Sequence, residues 1–131
     1  PDAFLNQANP VSGTLYEVLP TTRNVRLEGI SCVITWAVTQ PTPMEVIVSI
    51  DGNSIVYGIV NPITANWYVP RRNATTEGQN EANQFLVNVW DAVSLPLLPY
   101  EGRSVRVQIR VTWAVTQPTP MQCRVKYSRV P

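Results

Sequence analysis

The sequence predicts an all-β fold, an eight-stranded antiparallel β-sandwich that is jelly-roll-like and contains an internally duplicated hairpin. Three observations lead to this prediction. Apolar and polar residues alternate over long stretches, 12 prolines are spread along the 131 residues, and the ten residues TWAVTQPTPM occur twice. A period of two is typical of a strand with one buried and one solvated face, and proline at this density disrupts helices.

The clearest alternation leads into the second copy of the repeat. Five apolar residues share one face there: Val105, Val107, Ile109, Val111 and Trp113. Arg, Gln and Thr residues occupy the opposite face. We therefore expect the apolar face to line the core. Trp113 and its equivalent in the first copy, Trp36, are then core anchors rather than a stacking platform for a ligand.

Each copy of the repeat is predicted to form a hairpin in which a stiff Thr-Gln-Pro-Thr-Pro loop sets the register. Related segments, Arg23-Asn-Val-Arg26 and Arg103-Ser-Val-Arg106, precede the two copies. The distance from these segments to the Trp differs by three residues. We therefore expect a bulge or a longer lead-in in the first strand.

Turn residues divide the rest of the chain. Asp51-Gly52 predicts a tight turn, because both residues tolerate positive φ. Residues 1–13 are expected to form an arm that becomes ordered on a neighbouring subunit, and residues 14–131 a single sandwich domain. The predicted strands are 14–19, 23–38, 44–50, 53–60, 64–70, 84–91, 103–115 and 121–130.

The composition argues against catalysis and metal binding. The chain has no His, its acidic residues are scattered, and its two cysteines are Cys32 and Cys123. We expect no catalytic residue, no metal and no cofactor. The cysteines are expected to be buried, either as separate thiols or as a disulfide between sheets. A net charge of +1 offers no basic face for nucleic acid, and no apolar run is long enough for a membrane span.

The outer face of the first predicted hairpin is less polar than that of the second. Val33, Ala37 and Ile47 alternate there with polar residues. We expect this face to be covered, either by a neighbouring subunit or by the N-terminal segment. It is the first candidate interaction surface.

A second candidate interaction surface lies near the middle of the chain. Trp67 and Tyr68 are adjacent there, and Arg71 and Arg72 follow them. Tyr, Trp and Arg are favoured at binding hot spots. These four residues are therefore a candidate rim for a glycan or a receptor.

In its predicted strand arrangement the chain resembles the small β-sandwich capsid and accessory proteins of viruses, including phage decoration proteins. The resemblance implies a non-enzymatic structural protein that self-assembles in a virion. It also implies a homo-oligomer, with a trimer favoured, and contacts with other virion subunits. The expected location is the virion or the extracellular space. The alternative is a glycan- or receptor-binding β-sandwich module.

Overall fold

A computed structural model of the chain describes residues 1–35, 43–59, 67–70, 84–87, 101–113 and 120–131, with the backbone alone for 57–59, 67–70 and 84–87. Within these ranges the protein is all-β, with antiparallel pairing and no helix, which confirms the predicted class. The strands are β1 (Asp2–Gln7), β2 (Tyr16–Ile34), β3 (Met44–Ile50), β4 (Asn53–Ile59), β5 (Trp67–Pro70), β6 (Gln84–Val87), β7 (Glu101–Val111) and β8 (Met121–Arg129).

Strand β2 organises the sheet, because its two halves have different partners. Its first half pairs with β7, whereas its second half pairs with β8 and, at Cys32, with β5. The hydrogen-bonded order is β1-β8-β2-β7-β3-β4, with β5 and β6 attached to β2. Residues from both halves of β2 contribute to a single buried cluster with β3, β7 and β8. A sheet that encloses one core in this way is consistent with a β-sandwich-like class.

The predicted break between residues 19 and 23 is absent. Strand β2 continues through Pro20 to Ile34. The pairing of β2 with β7 shifts register twice around this proline, once between Glu17 and Leu19 and once between Leu19 and Thr22. Proline is tolerated in strands at such irregularities, because no ladder hydrogen bond is required of it there. The two strands predicted at 14–19 and 23–38 are therefore one strand in this region.

The expected irregularity before the first copy of the repeat is present. The pairing of β2 with β8 shifts register between Leu27 and Gly29. The Asp51-Gly52 turn is also confirmed, with φ of 50° and 86° at the two residues. The backbone geometry of this turn follows directly from residue types that accept the left-handed region.

The prediction that each copy of the repeat forms a hairpin is wrong. In the described residues, the strands on either side of each repeat are not paired with each other. Strand β2, which leads into the first copy, pairs with β8, which leaves the second copy. Strand β7, which leads into the second copy, pairs with β3, which leaves the first copy. The two copies therefore exchange their outgoing strands.

The exchange obeys a pseudo-two-fold relation. Ile34, just before the first copy, is opposite Met121, the last residue of the second copy. Val111, just before the second copy, is opposite Met44, the last residue of the first copy. Alternation reports which face a residue occupies and not which strand it pairs with. The two outgoing strands have similar alternation, so the sequence pattern does not distinguish a hairpin from this exchange.

Backbone hydrogen bonds at the ends of the repeats follow the same relation. The Thr35 N–H donates to the Pro120 carbonyl at 3.3 Å, and the Thr112 N–H donates to the Pro43 carbonyl at 3.0 Å. Trp113 is buried in the core, as predicted, with 5% of its surface exposed. Trp36 lies outside the described residues.

Candidate assembly surface

The structure does not bring the first predicted surface together. Val33 lies on β2 opposite Gln122, whereas Ile47 lies on β3 between Gln108 and Val56. Because β2 and β3 are not neighbours, these two residues do not share a face of one hairpin. Their exposures are 5% and 8% in the single chain, so the protein's own residues cover them. Ala37, the third residue of this set, lies outside the described residues.

The second predicted surface is described only in part. Trp67 and Tyr68 lie on β5, where Tyr68 is opposite Cys32 of β2 and both residues pair with β6. This places their backbone inside the sheet, between β2 and β6. Arg71 and Arg72 lie outside the described residues, so the predicted rim stays a prediction.

The outer face of β7 carries ion pairs within the chain. Arg106 donates from Nε and Nη2 to the two carboxylate oxygens of Glu17, at 2.7 and 2.9 Å. This hydrogen bond raises the pKa of Arg106, which stays cationic. On the other side of β7, Arg110 donates from Nε to Glu45 at 2.6 Å. The exposed Arg106–Glu17 pair contributes about 0–1 kcal/mol, the Arg110–Glu45 pair is partly buried, and each arginine on this face is balanced by a glutamate.

Acidic residues near the Asp51-Gly52 turn are occupied by structural contacts. Asp51 Oδ1 accepts hydrogen bonds from the N–H groups of Arg103 and Ser104, both at 2.9 Å. Gly102 packs against the same turn, and a Cβ there would approach Ile50 Cγ2 to 2.6 Å. The Asp51 carboxylate therefore joins the turn to β7.

A shallow cleft of about 270 Å³ opens beside this turn. Asn24, Asp51, Glu101 and Arg103 are among the residues that line it. The Glu101 carboxylate accepts a hydrogen bond from Arg26 Nε at 3.1 Å. The side-chain carboxylates of Asp51 and Glu101 thus both accept hydrogen bonds from donors of the chain itself.

Cys32 and Cys123 are directly opposite each other on β2 and β8. Hairpin pairing within each copy would instead have placed Cys32 across from Ile50 and Cys123 across from Trp113. Both residues are thiols and fully buried. Burial raises the pKa of Cys32 to about 12, and burial together with the neighbouring Cys32 raises that of Cys123 well above its usual range. Such thiols are poor nucleophiles.

The N-terminal strand was missed as a strand. Asp2–Gln7, within the expected arm, pairs along its whole length with β8 of its own chain. Its side chains alternate, with Asp2, Phe4 and Asn6 exposed and Ala3 and Leu5 partly buried against the core. The exposed Phe4 conceals this alternation in the sequence, because an apolar residue occupies the wet face.

Phe4 is the most prominent feature of this strand. It is 51% exposed, and the guanidinium of Arg124 on β8 lies 5.2 Å from the centre of its ring. A cation over an aromatic face at this distance is attracted by the ring. The contact fixes the Phe4 ring on the outer side of the sheet, so that an apolar surface is presented beside a sheet edge.

Among the described strands, β1 pairs on one side only, with β8. The Pro1 carbonyl accepts a hydrogen bond from the Tyr127 N–H at 3.0 Å. Hydrogen-bonded pairs alternate along an antiparallel ladder, so Ala3 and Leu5 also bond to β8, whereas the N–H and C=O groups of Asp2, Phe4 and Asn6 point away from it. In the part of the chain that the structure describes, no strand accepts these groups.

Comparisons with known proteins give no family assignment. No protein-family model, curated protein or solved structure matches the chain. Among the described residues, no group of His, Cys, Asp or Glu side chains could hold a metal ion. A search of the same residues finds no helix that is long and apolar enough to cross a membrane.

Proposed function

We propose that this protein is a non-enzymatic structural protein that self-assembles, and that its setting is a virion, as a capsid or decoration subunit. The observation that carries the proposal is the outer edge of β1, whose backbone groups pair with no strand in the described residues and which carries the half-exposed Phe4 ring. A sheet edge of this kind is a template for another chain. A charged fraction of 15% over the whole sequence further suits a surface that packs against protein.

The proposal includes the finer architecture expected from the sequence, an eight-stranded jelly-roll-like sandwich. The support is the pairing of a long shared strand, β2, with strands on both of its sides around one core. A crystal structure that covers residues 60–100 tests it. Two sheets packed face to face would support the proposal, and an open single layer would contradict it.

Light scattering coupled to size exclusion tests self-assembly directly. We expect a mass above that of one 14.6 kDa chain, with the share of oligomer rising with protein concentration. A mass of three chains would match the trimer expected from the sequence. A monomer at every concentration up to the solubility limit would contradict the proposed function.

The virion setting has its own test. Genes for small structural subunits are expected beside other capsid or tail genes, so the genomic neighbourhood of the coding sequence is informative. Adjacent capsid or tail genes would support the proposal. A chromosomal neighbourhood of metabolic genes would count against it while leaving self-assembly untouched.

A further inference from the structure

The side of β1 that faces away from β8 is covered by no other strand within the ranges that the structure describes. Natural sheet edges are blunted by Lys, by Pro, by a bulge or by an inward charge. Residues 2–7 contain neither Lys nor Pro, and their register with β8 is continuous over all six residues. Asp2 is the single charged residue of the strand. The edge therefore keeps a straight row of donors and acceptors at Asp2, Phe4 and Asn6.

This row is complementary to itself. If two copies of β1 meet antiparallel about a two-fold axis at Phe4, Asp2 of one copy is opposite Asn6 of the other, and the two Phe4 residues are opposite each other. The carboxylate of Asp2 then faces an amide that can donate to it, and no like charges meet. Cross-strand aromatic pairs add stability to antiparallel ladders. All three outward residues of each copy gain backbone hydrogen bonds in this one register.

The inward side of the same arrangement also fits. Ala3 of one copy is opposite Leu5 of the other, and both residues pack against the edge of the core. A small residue opposite a large one fills space without overlap. On the outer side, each Phe4 keeps its own Arg124 above the ring, so the two guanidinium groups flank the aromatic pair.

We propose that β1 is a homodimerisation edge, in which a second copy of the chain adds its own β1 antiparallel with Phe4 opposite Phe4. This inference rests on the proposed self-assembly and names its partner and its register. The two-fold contact by itself gives a dimer, and a trimer would need a different contact. The sheet then continues across the two-fold axis from one chain into the other. With six residues from each strand, the contact lies at the small end of protein interfaces, so association should depend on concentration.

Disulfide trapping tests the register. Phe4→Cys places two thiols opposite each other across the axis, at a Cα separation of about 5.5 Å, within the range that a disulfide spans. Asn6→Cys is the matched control, because its two thiols would lie about 14 Å apart along the strands, from a rise of about 3.4 Å per residue. A mixture of Asp2→Cys and Asn6→Cys chains should cross-link, since these positions are opposite each other.

The expected result is a covalent dimer after mild oxidation for Phe4→Cys and for the mixture, and none for Asn6→Cys alone. Efficient cross-linking of Asn6→Cys alone would overturn the register. An oligomer in light scattering without cross-linking of Phe4→Cys would overturn the edge pairing and leave self-assembly standing. A monomer throughout would instead overturn the proposed function itself.

A second variant removes the contact without changing the fold of the monomer. Phe4→Pro deletes an N–H that points to the free edge, so the ladder between β1 and β8 keeps its hydrogen bonds. We expect a monomer with unchanged circular dichroism. An oligomer that persists in Phe4→Pro with the wild-type dissociation constant would overturn the inference.

Discussion

Asp51 combines two roles in one residue. Its backbone adopts a φ of 50°, and its carboxylate accepts two backbone hydrogen bonds from β7. Asp51→Ala removes the acceptor and strains the turn, so we expect a loss of about 2 kcal/mol in the free energy of unfolding. Asp51→Asn keeps an acceptor oxygen and tolerates the backbone, so it should lose less than half as much. Urea denaturation measures both, and equal losses would contradict this account.

The cysteine pair makes stability depend on alkaline pH. Cys32 has a pKa of about 12 in the folded protein, against 9.0 as its ordinary value. Above pH 9 the unfolded chain loses thiol protons that the native state keeps, so the native state binds more protons and stability falls as pH rises toward 12. The free energy of unfolding then falls by up to about 1.4 kcal/mol per pH unit for each thiol.

Urea midpoints measured between about pH 8 and pH 10.5 check this dependence on the thiol pKa. Tyrosines also titrate at high pH, so the control is the double variant Cys32→Ala and Cys123→Ala. We expect a shallower fall in the variant than in the wild type. Parallel curves would show that the thiols keep ordinary pKa values in the folded state.

At the level of strands, the exchanged pairing can be tested by engineered disulfides in a background that lacks the native cysteines. Glu45 is opposite Arg110 across β3 and β7. Glu45→Cys with Arg110→Cys should therefore form an intramolecular disulfide. The matched control, Val33→Cys with Ser49→Cys, would be linked if β2 and β3 formed a hairpin, and it should keep its thiols because these strands are not neighbours. Peptide mapping without reductant shows which pair is linked. A disulfide in the control pair and none between positions 45 and 110 would support the hairpin instead.

The sequence patterns predicted which face of a strand is buried better than they predicted which strand pairs with it. Val105, Val107, Ile109 and Val111 are all fully buried, as their alternation indicated. The partner of β7 was missed because the residues that follow the two copies are similarly patterned, so either strand would satisfy it. Register along a strand follows from local periodicity, whereas the choice between equivalent strands is made by the whole chain.

The candidate surface could be predicted from the sequence even less well. Val33 and Ile47 were predicted to contact a partner because they are apolar at positions expected to face solvent. In the structure the chain itself covers them. Phe4 has the same pattern and is exposed. Apolar residues on an outer face therefore have the same sequence signal whether they are covered by their own chain or left for a partner, and only the tertiary arrangement separates these cases.

For the molecule as a whole, most pairings join the two halves. Of the seven described strand pairings, β3 with β4 and β5 with β6 lie within one half, and the other five connect residues 1–66 to residues 67–131. Isolated two-stranded pairs are marginally stable in water. We therefore expect neither fragment, 1–66 or 67–131, to fold alone.

Mixing the two fragments should restore the β-sheet signal in circular dichroism, with a stability that depends on fragment concentration. Each fragment mixed with itself is the control. A cooperative unfolding transition in either isolated fragment would contradict the prediction, because it would require a core that this strand order does not provide.

The exchange between the repeats also has an evolutionary consequence. Two separate short chains, each with one copy of TWAVTQPTPM, could pair across a symmetry axis as β2 with β8 and β7 with β3 pair here. The present connectivity is the one that a fusion of two such chains would produce, and a fusion would make their association independent of concentration. In such a molecule each copy is fitted to the other, so a substitution in one of them is tolerated only as far as its counterpart allows.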